Sequence, residues 1–166
     1  MKDNLSNQEG IDKIKELAKS IDMCLFCTNL KEGEGESTRP MSTQGIDDDG
    51  TLWFFSDKNS LKNDEIKKDK STRLYYSDPS KSSFMVLNGD AEIVFDKEKT
   101  EALWSPHVKA WFDGKDDPNL SLLKVTPKSA YYWDVEGNKM INFFKYLASI
   151  ATGAKLIDAK EGNIKV

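Results

Sequence analysis

Ile11, Ile14, Leu17 and Ile21 recur at helical spacing behind Ser6 and Glu9. A capping box followed by that period predicts an amphipathic helix over about residues 7–21. The period then changes. Met23 to Leu30 is a short apolar run without helix caps and reads as a buried strand, ending in the charged, glycine-rich loop Lys31–Ser37. Thr38 to Ile46 and Thr51 to Ser56 are expected to pair as a hairpin across Asp47-Asp48-Asp49-Gly50, where Asp before Gly favours positive φ. Ser60 caps a short polar helix through about Lys68, and Arg73–Ser77 with Ser83–Phe95 makes a further hairpin across Asp78-Pro79. Lys97 to Phe112 reads as helical with a break at Pro106, and Asp113–Asn119 as a loop. Leu120–Val125 and Ala130–Val135 are the last clear strands, Met140–Ile150 returns to helical spacing, and Thr152–Val166 is a weakly patterned tail.

Short strands joined mostly as hairpins favour an antiparallel β-barrel over a parallel sheet, because parallel pairs need long crossovers. The expected fold is therefore mainly β, with helices over the open ends and edges. At 166 residues the chain suits one domain: the first helix, a barrel over about residues 23–136, and a C-terminal helix and tail over about 139–166.

Charge narrows the partners. A net charge of −4 and a pI near 5.1 argue against nucleic acid or an anionic membrane surface, both of which need a field of Lys and Arg. The first ten residues, MKDNLSNQEG, hold no apolar signal core, and no run approaches a membrane span, so a cytoplasmic protein is expected. The sequons at Asn4 and Asn119 then carry no weight.

Several motifs dissolve on inspection. Cys24 and Cys27 are spaced C-x-x-C, yet residues three apart on a strand face opposite sides, no second Cys pair exists, and His107 is the one histidine. They read as buried thiols. Gly33-x-Gly35 lacks a third Gly and is flanked by Glu32, Glu34 and Glu36, which repel phosphate. Asp47 and Asp49 suggest a calcium loop, but Gly45 and Ser56 stand where its first and twelfth ligands belong. No metal site and no nucleophile–base pair emerges, so any chemistry requires a cofactor.

One constellation survives: Arg39-Pro40-Met41-Ser42, then Trp53-Phe54-Phe55-Ser56, then Ser60-Leu61-Lys62. Arg39 is one of only two arginines, the other being Arg73. An Arg, a Lys and Ser hydroxyls beside a helix start suit a phosphate. The order RPMSTQ, a DG turn, LWFFS, S-L-K, NGDAEIV, WFDGKDDPN and YYWD resembles the general stress protein branch of the pyridoxamine phosphate oxidase-like FMN-binding split barrels, over about residues 8–155.

That resemblance implies an antiparallel Greek-key split barrel and a homodimer with FMN at the subunit interface. It implies a phosphate grip by Arg39, Ser60 and Lys62, and a flavin lying along Arg39, Pro40, Met41, Ser42 and Phe54, Phe55, Ser56. Trp133 and Trp111 of the opposite subunit would pack near the ring, although each Trp alone fits plain core packing as well. The oxidase's Arg-x-His element after the last-strand Trp is missing here, since Trp133 is followed by DVEGNKM. Pyridoxamine phosphate oxidation is therefore not expected. The resemblance leaves two functions: an oxidoreductase passing hydride between a donor such as NAD(P)H and a small acceptor, with no catalytic residue identified, or a non-catalytic protein that binds or sequesters FMN. A scaffold that has lost its flavin fits poorly with the retained Arg39, Ser60 and Lys62.

Overall fold

The structure is a computed structural model and describes residues 4–31, 35–135 and 160–166. Helix α1 (Asn7–Ile21) lies where the apolar spacing places it and buries Ile14, Leu17 and Ala18. Its start differs from expectation. Ser6 is the N-cap but its side chain accepts no capping bond. Leu5–Ser6 instead forms a short strand, β1, whose pairing with the chain's last strand fixes the helix start.

β2 (Met23–Thr28) runs antiparallel between β3 (Ser37–Ser42) and β6 (Ser71–Asp78). The single strand expected over Thr38–Ile46 is therefore two. After β3 the chain passes through Thr43 and Gln44 into β4 (Gly45–Ile46), and only β4 pairs with β5 (Leu52–Asp57). Gly45 allows that switch, because a Cβ there would stand 2.4 Å from Leu103 Cδ2. Arg39–Ser42 thus lies against β2 and not in a hairpin with Phe54–Ser56, since the apolar β2 takes up its hydrogen-bonding edge. The Asp47–Gly50 turn forms as expected, with Gly50 at φ 85° and its N–H donating to Asp47 O at 3.0 Å.

Helix α2 (Leu61–Lys68) follows β5 and is capped by Ser60. β6 and β7 (Ser83–Val94) make the expected hairpin. The helix expected over Lys97–Phe112 breaks at Pro106 into α3 (Lys97–Leu103) and a 3-10 turn, Pro106–Ala110. The two strands expected after residue 120 are one, β8 (Leu120–Asp134). Pro127, which cannot donate to a ladder, falls at a bulge opposite Asn88/Gly89. There the backbones approach so closely that a Cβ on Gly89 would meet Thr126 O at 2.5 Å.

The tail also departs from expectation. Lys160–Lys165 is a strand, β9, antiparallel to β8 and parallel to β1, so the sheet is mixed rather than wholly antiparallel. The helix expected over Met140–Ile150 lies outside the described residues. Sheet order is β1-β9-β8-β7-β6-β2-β3, with β4 and β5 branching from β8. Among the described residues β3 and β5 do not pair as strands, so the barrel is split between them. Its interior is filled by Phe26, Phe54, Leu74, Leu87, Leu123 and Tyr132, with Ile14 and Leu17 of α1 packed onto it. Among the described residues no helix is long and apolar enough to cross a membrane.

Candidate anion-binding site

The split between β3 and β5 is where charge gathers. β5 delivers Ser56, the cap of α2 delivers Ser60, the first turn of α2 delivers Lys62, and β3 delivers Arg39. Lys62 is only 9% exposed, and its ammonium donates to Ser56 Oγ and, at 3.3 Å, to Ser60 Oγ. Among the described residues no carboxylate lies within ion-pair distance of it. Burial first, and then the positive charge of Arg39, push Lys62 down to about 8, with Asp57 opposing from farther off. A buried ammonium answered only by hydroxyls is uncommon, because desolvating a charge costs several kcal/mol unless it is paired.

Supporting bonds come from α2 and β3 themselves and from two further strands, β2 and β8. Asn63, fully buried, accepts from Ser56 Oγ at 2.7 Å and Ser60 Oγ at 3.3 Å. Its amide donates to Ser121 Oγ of β8 at 3.1 Å, and that hydroxyl donates to Ser56 O at 2.9 Å. Glu65 of α2 receives Thr28 Oγ1 and Ser37 Oγ, each at 2.5 Å, and Arg39 Nη2 at 3.2 Å. Arg39 Nη1 donates to Thr28 Oγ1 at 2.5 Å. Burial works against the Glu65 carboxylate, but the hydrogen bonds from Ser37, Thr28 and Arg39 outweigh it and hold Glu65 below the usual range. The cluster is two cations, one anion and several hydroxyls, with one positive charge uncompensated.

Other sequence candidates scatter. Phe54 is fully buried and meets Phe26 edge-on at 5.3 Å, so its side chain belongs to the core. Phe55 turns the other way, toward Trp104 and Phe112, with centroids at 5.9 and 6.4 Å. Pro40 is exposed, Met41 packs against the core, and Ser42 donates to Asp22 Oδ1 at 2.9 Å beside the end of α1. Trp111 is 82% exposed after the 3-10 turn. Trp133 is 40% exposed and stands at the opposite end of the 15-residue β8 from Ser121, on the order of 40 Å of strand away. Within one chain it does not meet the cluster.

Trp133 belongs instead to an outward apolar face. Leu25, Tyr75, Val86 and Tyr131 form one cross-strand row, and Phe84 pairs with Trp133 beside it. Met23, Leu25, Phe84, Tyr131 and Trp133 are all exposed there. Cys24 and Cys27 are free and buried, as the strand reading expects. Burial pushes the Cys24 thiol up to about 12, which leaves no thiolate for redox chemistry near neutrality.

Sequence reasoning missed Thr28, Asn63, Glu65 and Ser121. Glu65 had a local signal: three residues after Lys62 on a helix, it shares that residue's face. Thr28 and Ser121 arrive through strand pairing and had none.

The chain is similar to general stress protein 26 of Bacillus subtilis, 30% identical over 81 residues, covering 47% of this chain and 58% of that protein. It spans about half the length of the curated relatives it matches. Among solved structures, a candidate general stress protein 26 from Jannaschia sp. CCS1 superposes with a TM-score of 0.77 at 22% identity, covering 96% of this chain and all of that one. The general stress FMN/FAD-binding protein of Xanthomonas citri superposes with a TM-score of 0.67 at 28% identity, covering 80% and 93% of the two chains. The first of these structures supports the split-barrel fold alone, and the second extends the likeness to sequence. With residues 9–158 matching the family described as pyridoxamine 5'-phosphate oxidase like, the chain belongs to that family.

Proposed function

We propose that this chain is an FMN-binding flavoprotein of the general stress protein type, working as a homodimer and serving as an oxidoreductase. The observation that carries the reading is Lys62, a buried ammonium with no carboxylate in ion-pair distance among the described residues, bonded to two Ser hydroxyls and under the positive charge of Arg39. A phosphate monoester fits that donor set, because its dianion would supply the charge that burial withholds. The flavin-binding Xanthomonas citri relative supports the same reading. Arg39, Ser56, Ser60 and Lys62 would hold the phosphate, with the backbone of β3 and β5 alongside the ring. Bound flavin would supply the hydride chemistry that these side chains lack, between a donor such as NAD(P)H and a small acceptor.

The apolar face around Leu25, Phe84, Tyr131 and Trp133 supports the dimer, since a second copy would bury aromatics that one chain leaves in water. It also supports the reading that Trp133 of each subunit serves its partner's site, which it does not meet in its own chain.

The test is the visible absorption spectrum of gently purified protein, followed by FMN titration of wild type, Arg39→Ala and Lys62→Ala. Flavin bands that weaken in both variants are expected, with a sedimentation mass of two chains. A colourless wild type that takes up no FMN would refute the reading. Anaerobic mixing with NADPH then separates turnover from sequestration: bleaching followed by acceptor-dependent recovery marks an oxidoreductase.

A further inference from the structure

We propose that Glu65, together with Thr28, is a positioning residue that aims Arg39 at the bound phosphate and thereby sets the preference for phosphorylated over unphosphorylated flavin. The inference rests on the reading of the cluster as a phosphate site. It concerns a residue that carries the wrong charge for such a site, which makes its presence informative.

Glu65 sits on α2, three residues beyond Lys62, with its side chain only 11% exposed. A carboxylate beside an anion site costs affinity by repulsion, so its place there needs a compensating role. The geometry supplies one. Glu65 Oε2 receives both Thr28 Oγ1 and Arg39 Nη2, while Thr28 Oγ1 itself receives Arg39 Nη1. The guanidinium is thus held at two of its nitrogens by one carboxylate–hydroxyl unit, and Ser37 Oγ anchors the other carboxylate oxygen. Of the five N–H donors of an arginine, this leaves three to face a ligand in a fixed fork.

Without such a brace, Arg39 at the split edge would sample many rotamers, and each contact to phosphate would bear the cost of freezing them. The brace also fixes Arg39 where its charge already bears on Lys62, so that both cations face the same gap. Arg39 therefore reaches a phosphate from the β3 side while Lys62 reaches it from the β5 side, and the split is the gap between them. Riboflavin, lacking the phosphate, would not draw on this arrangement.

The experiment compares FMN and riboflavin affinities for wild type, Glu65→Gln, Thr28→Val and Thr28→Ser, with inorganic phosphate titrated in parallel. Glu65→Gln and Thr28→Val are expected to weaken FMN and phosphate on the order of tenfold, the worth of one charged hydrogen bond. Riboflavin affinity stays unchanged, and Thr28→Ser, which keeps the hydroxyl, retains wild-type binding. Tighter FMN binding by Glu65→Gln would overturn the inference, since Glu65 would then be mere opposing charge. So would equal weakening of FMN and riboflavin, which marks a general loss of structure, or no change at all. A wild type that binds phosphate but no flavin would refute the flavin reading while the phosphate arm still decides on Glu65. A wild type that binds neither would refute both.

Discussion

Lys13 and Lys62 are the same residue in similar burial and meet opposite electrostatic fates. The Lys13 side chain, 12% exposed on α1, donates to Asp134 at 2.6 Å and Glu16 at 3.1 Å and lies 5.6 Å from the Tyr132 ring. Burial lowers its pKa, but the bonds to Asp134 and Glu16 win and leave it raised. Asp134 in turn accepts from Ser83 Oγ at 2.6 Å. That site is closed: every charge has its partner, and the bond ties α1 to the end of β8. Lys62 has hydroxyls where Lys13 has carboxylates, and its pKa is pushed down to about 8. On the proposed reading, the difference separates a charge that holds the fold together from one held ready for a ligand.

Substituting each lysine by Met sharpens the contrast. Lys13→Met leaves Asp134 buried without its cation and is expected to cost about 3 kcal/mol of stability, a fall in Tm of roughly 6–12 °C in calorimetry. FMN affinity should barely move. Lys62→Met removes a charge that folding had to desolvate, so thermal stability without ligand should hold or rise. FMN affinity should fall by about 2 kcal/mol, ~30-fold in a fluorescence titration. If Lys62→Met were the one to unfold, the distinction would collapse.

A further contrast lies in pH. The Lys62 pKa lies below its unfolded value of 10.5, so the folded chain binds fewer protons between about 8 and that value. Stability of the flavin-free protein should therefore climb over that window in wild type and not in Lys62→Met, as urea midpoints would register. An anion raises the lysine pKa again, so FMN affinity is full below about pH 8 and declines above it, by at most about tenfold per unit. Asp134 has the same sign at the acid end of the scale. Burial opposes ionisation, but the bonds from Lys13 and Ser83 hold it below its ordinary 3.8, so the clamp it contributes is lost only as pH falls through that region.

Helix α1 was legible because its apolar period is local, and Arg39, Ser60 and Lys62 were legible because they stand in short ordered motifs. What escaped depends on pairing at a distance. KEGNIK gives little strand signal, since only Gly162 and Ile164 are buried in it, and its place is set by β8 and by Gly10, whose Cβ would collide with Ile164 Cγ2 at 2.5 Å. The partner of β3 was misread because Thr38–Ile46 carries no mark of the switch at Gln44. Glu65 was passed over because an acid at a phosphate site runs against the simple charge rule. Trp133 stands out in the sequence as an aromatic near the last strand, yet its place on an outward face at the far end of β8 required the register.

The bond between Ser121 and Ser56 spans 65 residues of chain. During synthesis β2, β3 and β6 can pair with near neighbours, whereas β5 has no long partner until β8 leaves the ribosome. Until then Ser56 and Asn63 lack the Ser121 end of their hydrogen-bond frame. A nascent or truncated chain lacking β8 would still join Arg39 to α2 through Glu65 but would lose the Ser121 support of Ser56 and Asn63, and on the proposed reading the ability to retain a cofactor would serve as a report that the barrel is complete.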